Sequence, residues 1–322
     1  MSGAAAADLA VEAVGIDVGG TKIAALRLSR AGQILARETL STPADDMTAT
    51  LDAMVLAARA VVTPSVRAVG IGAAGLVEFS TGTLAFAPNL AWRDAHLSEH
   101  VGDALGLPTL TDNDGNVAAW AEYRFGAGRG HDHMLLVAVG TGIGGGIVTG
   151  GRLLRGAHGF AAEIGHVVVD PSGPVCGCGN RGCWEQLASG HAITRAGRDA
   201  VERFPYSSIA KLSAGDPANV TGPLITRAAR EGDEIARSIL AHVGERLGEG
   251  VAGLVNVLDP SIVVIGGGAV EAGDLLLEPA RAAFLDAVEA PTYRPAVRLV
   301  AAELGNDAGA VGAATIAIEE LL

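Results

Sequence analysis

Three times along this 322-residue chain an apolar, strand-like run opens directly into a turn built from glycine. Val14–Val18 runs into Gly19-Gly20-Thr21, Met134–Val139 into Gly140–Gly146, and Ser261–Ile265 into Gly266-Gly267-Gly268. Short apolar runs that stop at glycine predict buried strands. The first two resume beyond their turns, at Lys22–Leu28 and from Ile147 onward, so each predicts a strand-turn-strand hairpin, and the likeness suggests two duplicated halves. Helical spacing falls between them. Met47, Leu51, Met54, Ala58 and Val61 recur at helical intervals within residues 45–62. Leu240, Val243, Leu247, Val251, Leu254 and Leu258 do so within 233–258, with Gly244, Gly248 and Gly253 admitting a close neighbour. Further strands are predicted at 68–75 and 109–112, a helix over 117–125 whose start Asp114 could cap, and a closing helix over 307–322. Strands alternating with helices give an α/β chain. The glycine-rich stretch 126–130 predicts a break, and the expected domains are 1–125 plus 306–322, a small lobe, and 126–305, a larger lobe with the long helices.

The charge balance narrows the partners. Thirty-six acidic against 23 basic residues give a net charge of −13, which opposes binding to nucleic acid or anionic membrane. Residues 134–151 carry no charge over eighteen positions, but seven are glycine, which suits a strand and turn and not a membrane span. The first eight residues lack the basic and apolar regions of an export signal. A soluble cytoplasmic protein is expected.

All three cysteines fall within eight positions, Cys176-Gly-Cys178-Gly-Asn-Arg-Gly-Cys183. Thiols this close, with glycines freeing the backbone between them, can converge on one soft cation, and His166 is the best-placed fourth ligand for a tetrahedral zinc site. A disulfide plus one free thiol is the competing reading, disfavoured by the odd count and tight loops. A closed four-ligand site is structural, and such zinc binding is worth about 10–16 kcal/mol in small domains.

Two familiar phosphate motifs fail on context. Gly140-Thr-Gly142-Ile-Gly-Gly145 matches G-x-G-x-x-G, but β-branched residues and a turn follow where a dinucleotide fold needs a helix. Gly19-Gly20-Thr21-Lys22 lacks the order of a P-loop. Glycine hairpin turns that each offer N–H groups to a polyphosphate fit better, and three of them favour nucleotide binding.

Asp17-Val-Gly-Gly-Thr-Lys22, Asn113-Asp114, Gly140–Gly146, Glu163-Ile-Gly-His166 and Cys176–Gly190 together resemble the ROK family of sugar kinases and repressors, in particular its actinobacterial-type ATP-dependent glucokinases. The resemblance implies an actin-like, ribonuclease-H-like two-lobe ATPase fold with a zinc-binding loop, with ATP and sugar between the lobes. It implies Asp114 as the base that accepts the proton of the attacking sugar hydroxyl. Asn113, Glu163, His166 and Glu185 match residues that bind sugar hydroxyls, and Gly75 and Asn89 fall where the small lobe touches the sugar. His166 would serve zinc with one ring nitrogen and sugar with the other. Asp17 resembles the carboxylate near Mg2+ and the phosphates. Gly19, Gly20, Thr21 and Lys22 lie in the first phosphate turn, Thr141 and Gly142 in the second, and Gly266, Gly267 and Gly268 in the adenosine-side turn. One departure is Gly115, where the family commonly has alanine; glycine there adds backbone freedom beside the base.

The implied reaction is ATP-dependent phosphorylation of the 6-hydroxyl of glucose by a homodimer or homotetramer. Mannose, N-acetylmannosamine and N-acetylglucosamine remain alternative acceptors, and polyphosphate an alternative donor. A sugar-responsive regulator of the same family is disfavoured, because the sixteen residues before Asp17 contain no basic residue and are too few for a helix-turn-helix domain.

Overall fold

The computed structural model describes residues 11–87 and 92–322. Asn89 lies outside the described residues. In chain order the elements are β1 (Glu12–Val18), β2 (Lys22–Ser29), β3 (Ile34–Ser41), α1 (Met47–Val61), β4 (Val66–Ala73), β5 (Leu76–Glu78), β6 (Thr83–Phe86), β7 (Arg93–His96), α2 (Leu97–Leu105), β8 (Thr109–Asn113) and α3 (Asp114–Phe125). There follow β9 (Met134–Val139), β10 (Ile143–Thr149), β11 (Arg152–Leu153), α4 (Glu185–Ala188), α5 (Gly190–Arg203), α6 (Ser208–Leu212), α7 (Gly222–Arg230), α8 (Glu234–Leu258), β12 (Ile262–Gly266), α9 (Asp274–Ala287), β13 (Arg298–Ala301) and α10 (Ala308–Leu321).

Two five-stranded sheets share one order, β3-β2-β1-β4-β8 and β11-β10-β9-β12-β13. In the first, β1 pairs antiparallel with β2 and parallel with β4, and β4 runs parallel with β8. In the second, β10 and β11 are antiparallel and β12 and β13 parallel. Each sheet therefore couples a hairpin to parallel crossovers, the duplicated α/β, actin-like and ribonuclease-H-like topology that the repeated hairpins suggest. A small antiparallel sheet, β5-β6-β7, completes the strands.

The chain groups into two compact units, Met1–Leu136 with Gly145–Ala162 and Ala302–Leu322, and Val137–Gly144 with Glu163–Ala301. The divisions expected at 125/126 and 305/306 lie at 136/137 and 301/302, and residues 145–162 return to the first unit. In that unit the strand period of two sends Val14, Ile16 and Val18 to a core with Met54 and Ala58 of α1 and Leu97 and Val101 of α2. The opposite face, with Ala13 and Leu26, packs on Val117 and Ala121 of α3 and on the alanine-rich α10. Contact there is backbone-close: a Cβ on Gly15 would stand 1.8 Å from the Ala310 carbonyl oxygen. Buried Glu122 of α3 accepts from the N–H groups of Ala127, Glu303 and Leu304 at 2.9, 3.2 and 2.8 Å, tying the chain after α3 to the segment before α10.

In the second unit, α8 is capped by Asp233, whose Oδ1 accepts from Ala236 N–H at 2.9 Å. The close neighbour predicted by its glycines is α9: Cβ atoms on Gly244 and Gly248 would meet the carbonyl oxygens of Leu276 and Ala280 at 2.4 and 2.1 Å. Gly253 meets nothing, so only two of the three glycines serve that contact. Among the described residues no helix is long and apolar enough to cross a membrane, and 134–151 is a strand, a turn and a strand.

Candidate active site and metal centre

In the first unit, β1 ends one residue beyond Asp17, and the hairpin closes by Gly19 N–H donating to Lys22 O at 3.0 Å. Gly20, Thr21 and Lys22 form an exposed tip, steadied by Thr42 Oγ1 donating to Gly19 O at 2.7 Å. Gly309, in the first turn of α10, leaves room for the Asp17 carboxylate, since a Cβ there would lie 2.7 Å from its Cγ. Burial, then the charge of Asp114, push the Asp17 carboxyl up to about 6, against the pull of Lys22.

Asp114 opens α3 at the end of β8. The expected Asp114 cap is corrected: the N-cap is Asn113, whose Oδ1 accepts from Gly115 N–H at 2.8 Å and Asn116 N–H at 3.2 Å. Its Nδ2 donates to Gly75 O at 3.0 Å, which joins two of the expected sugar-side residues. With the cap supplied from the preceding residue, Asp114 Oδ1 accepts from Gly115 N–H at 2.9 Å in its own helix turn. Burial raises the Asp114 carboxyl, opposed by that N–H and its own. Gly115 also differs from expectation, since its reason is space and not freedom: a Cβ would fall 2.2 Å from the Gly145 carbonyl oxygen. The start of α3 and the strand β10 touch backbone to backbone, which an alanine would prevent.

In the second unit, the turn after β9 closes through Gly140 N–H donating to Gly142 O at 3.0 Å. The start of α5 docks on it, with Gly190 N–H and His191 N–H donating to the carbonyls of Gly140 and Thr141 at 2.9 and 3.1 Å. The third turn adjoins the second, because Gly267, at φ +83°, sits where a Cβ would be 2.5 Å from Val139. Gly266 ends β12, and Gly268 begins the 3-10 turn that follows.

The metal-ligand candidates converge in the same unit. Glu163 precedes a 3-10 turn, Ile164–His166, that carries His166 toward the cysteine loop. Backbone pairs fold that loop, including Cys176 N–H to Asn180 O at 2.8 Å and the bridges Val168↔Cys183 and Val175↔Arg181. All three thiols are free, and one donor atom from each of His166, Cys176, Cys178 and Cys183 lies within 4.8 Å of the others. Cys178 and Cys183 sulfurs are 3.6 Å apart, as are Cys176 Sγ and His166 Nδ1. A tetrahedral zinc with bonds of about 2.3 Å to sulfur needs ligand separations of about 3.7 Å, so the donor set fits that ion. Trp184, next in sequence, anchors the loop by donating Nε1–H to Arg246 O of α8 at 2.9 Å.

Glu185 stands between cluster and turn. Its Oε1 accepts from Cys176 Sγ at 2.9 Å and lies 3.8 Å from His166 Nδ1, while Oε2 accepts from Ile143 N–H at 3.4 Å. Nε2 of His166 points the other way, 4.0 Å from Glu163 Oε2. Nδ1 thus faces the thiols and Nε2 faces the expected sugar-binding carboxylate. Sequence reasoning missed Arg155, which reaches back to Asp112 beside the Asn113-Asp114 turn; an unmatched arginine gave no signal of a partner 43 residues away.

The ROK family profile matches residues 13–320. The chain is 42% identical to a glucokinase of Streptomyces coelicolor over 309 residues, 95% of this chain and 97% of that protein. It is 38% identical to a glucokinase of Thermotoga maritima over 311 residues, 96% and 98% of the two chains. Among solved structures, a ROK family glucokinase from Streptomyces griseus in complex with glucose and AMPPNP matches with a TM-score of 0.88 at 42% identity, covering 96% of this chain and 99% of that one.

Proposed function

The chain belongs to the ROK family, and on that footing we propose that it catalyses ATP-dependent phosphorylation of glucose at the 6-hydroxyl, giving glucose 6-phosphate and ADP. The observation that carries this reading is the Asn113-Asp114 turn, a carboxylate of raised proton affinity at a helix start, in a chain 42% identical to a glucokinase that binds glucose and AMPPNP.

A sugar hydroxyl is a weak nucleophile, so the step needs a group that accepts its proton as the oxygen attacks the γ-phosphorus and ADP leaves. Asp114 is that group. Its burial raises its proton affinity above the ordinary carboxylate range, which strengthens it as a proton acceptor. Asn113, Glu163, His166 and Glu185 take the sugar hydroxyls, and Gly75 and Asn89 are assigned to the same sugar; carboxylates accept from paired hydroxyls and the Asn113 amide retains a second N–H. The turns Gly19–Lys22 and Thr141-Gly142 take the phosphates, and Gly266–Gly268 the adenosine side. Asp17 would hold Mg2+, which supplies charge neutralisation on the phosphates when bound. Zinc on His166, Cys176, Cys178 and Cys183 would be structural, fixing the loop that carries Glu185 and orienting the His166 ring. The same reading carries a cytoplasmic homodimer or homotetramer that uses no nucleic acid, tested for its oligomeric state by light scattering.

Purified protein with Mg2+-ATP should release ADP only when an aldohexose is present, and glucose 6-phosphate dehydrogenase should oxidise the product. A panel of glucose, mannose, N-acetylmannosamine and N-acetylglucosamine, with ATP or polyphosphate, ranks the substrates. No sugar-dependent ADP release across the panel would sink the reading.

A further inference from the structure

We propose that Arg155, through its ion pair with buried Asp112, is a positioning residue for the Asn113-Asp114 turn. The inference rests on the kinase reading above and adds to it a side chain that touches neither the base nor a phosphate turn. Asp112 is 1% exposed in β8. Its Oδ1 accepts from Asn113 N–H at 2.8 Å and from Asn116 Nδ2 at 2.9 Å. One carboxylate oxygen therefore grips the residue before Asp114 and the residue two after it. Buried Asn116 Oδ1 has no partner among the described residues, so Asp112 alone sets the orientation of that amide.

A carboxylate this buried is costly unless a cation meets it, and Arg155 does so with Nε–H at 2.8 Å from Oδ2. The guanidinium is itself constrained: it stacks 3.8 Å over the Phe79 ring, and its NH1 is 3.6 Å from Glu320. Its backbone is held as well. Arg155 O accepts from Ala161 N–H at 3.1 Å, and Gly159 packs against Val77 O, where a Cβ would be 2.5 Å away. Ala161 is followed after one residue by Glu163. Arg155 thus braces both the turn that bears the base and the loop whose continuation is the first sugar-binding carboxylate. A well-hydrated surface arginine could vary freely; this one neutralises the charge that locks the turn, and a displacement of about 1 Å at a reacting group costs about 100-fold in rate.

The test is steady-state kinetics with glucose and ATP on Arg155→Met, Arg155→Lys, Asp112→Asn and the Asp112→Asn/Arg155→Met pair, each with its melting temperature. Glu122→Gln is the control, a buried carboxylate on the same helix whose partners are N–H groups outside the turn. Arg155→Met is expected to lose kcat by about 100-fold while KM for ATP holds within about twofold. Arg155→Lys should recover part of the loss, and the double variant should lose no more than Arg155→Met, because both changes break one pair. Glu122→Gln should lower the melting temperature and keep kcat. A kcat for Arg155→Met within about threefold of wild type, or a loss matched by Glu122→Gln at equal melting temperature, overturns the proposal. Should Arg155→Met fail to fold, an undiminished kcat in Arg155→Lys, which lacks the planar Nε–H fork, overturns it too. Wild-type protein without sugar-dependent ADP release would instead defeat the kinase reading, so the two failures are separable.

Discussion

Replacing Asp17 with asparagine should make the protein more stable above neutral pH while removing its kinase activity. Asparagine keeps the shape of the side chain beside Gly309 and removes the charge. In the folded chain, burial and the neighbouring Asp114 raise the Asp17 carboxyl from its ordinary 3.8 to about 6. At about 1.4 kcal/mol for each tenfold change in proton affinity, the ionised form is disfavoured by about 3 kcal/mol relative to the unfolded chain. The sign follows from the direction. Below about pH 4 both states bind the proton and Asp17 costs nothing. Between pH 4 and 6 the unfolded chain ionises first, so wild type loses stability as pH rises, and above pH 6 the full cost stands. With unfolding entropy of about 2.1 cal/mol/K per residue, 3 kcal/mol corresponds to about 4 °C for a chain of this length, an upper figure because solvent reaches part of the site.

Differential scanning calorimetry of wild type and Asp17→Asn in Mg2+-free buffer at about pH 4 and about pH 8 measures this difference. The melting temperatures should coincide at the acid end and separate by a few degrees at the alkaline end, with the variant higher. Added Mg2+ should raise wild type and not the variant. A gap independent of pH, or a variant less stable at pH 8, would refute the claim that site charge, not packing, dominates at Asp17.

Asp114→Asn should lower kcat by at least 100-fold with the melting temperature preserved or raised, read from ADP release and calorimetry. Gly115→Ala should cost about 1–3 kcal/mol, because its Cβ would stand 2.2 Å from Gly145 O, and denaturant titration gives the value. Elemental analysis should find about one zinc per chain, the ratio a single four-ligand site requires. Cys178→Ser should weaken binding of glucose and of a non-hydrolysable ATP analogue together by calorimetric titration, since Glu185 links the metal cluster to the turn at Ile143; loss of sugar affinity alone would show that link to be idle.

The sequence made the repeating elements legible because their cause is local. β1, β9 and β12 end where glycine breaks an apolar run, and α1 and α8 begin after Asp46 and Asp233, whose side chains cap them. What it did not disclose depends on distant or masked periodicity. The strands β5, β6 and β7 are three or four residues long, too short for alternation to stand out. α9 carries Pro279 inside it, which reads as a break although the helix continues. α5 and α7 start at Gly190 and Gly222, residues that by themselves signal turns.

At the candidate site the same rule separates residues from their settings. Asp114, His166 and the cysteines could be named because motif and spacing are properties of short segments. Their environments could not, because each is set by a partner far along the chain: Gly145 for Gly115, Arg155 for Asp112, Ile143 for Glu185. Gly115 shows the consequence. Judged by its neighbours in sequence it loosens the proposed base, yet against Gly145 it is what lets the start of α3 sit backbone to backbone with β10. The cysteine loop changes in the same way. As a cluster of ligands it suits a metal and lies beside the proposed sugar residues, but Glu185 and the start of α5 also bind the turn proposed to take phosphate. A loop joined to both would not loosen toward one substrate alone, so zinc bound there would stabilise the proposed sugar and nucleotide sites together.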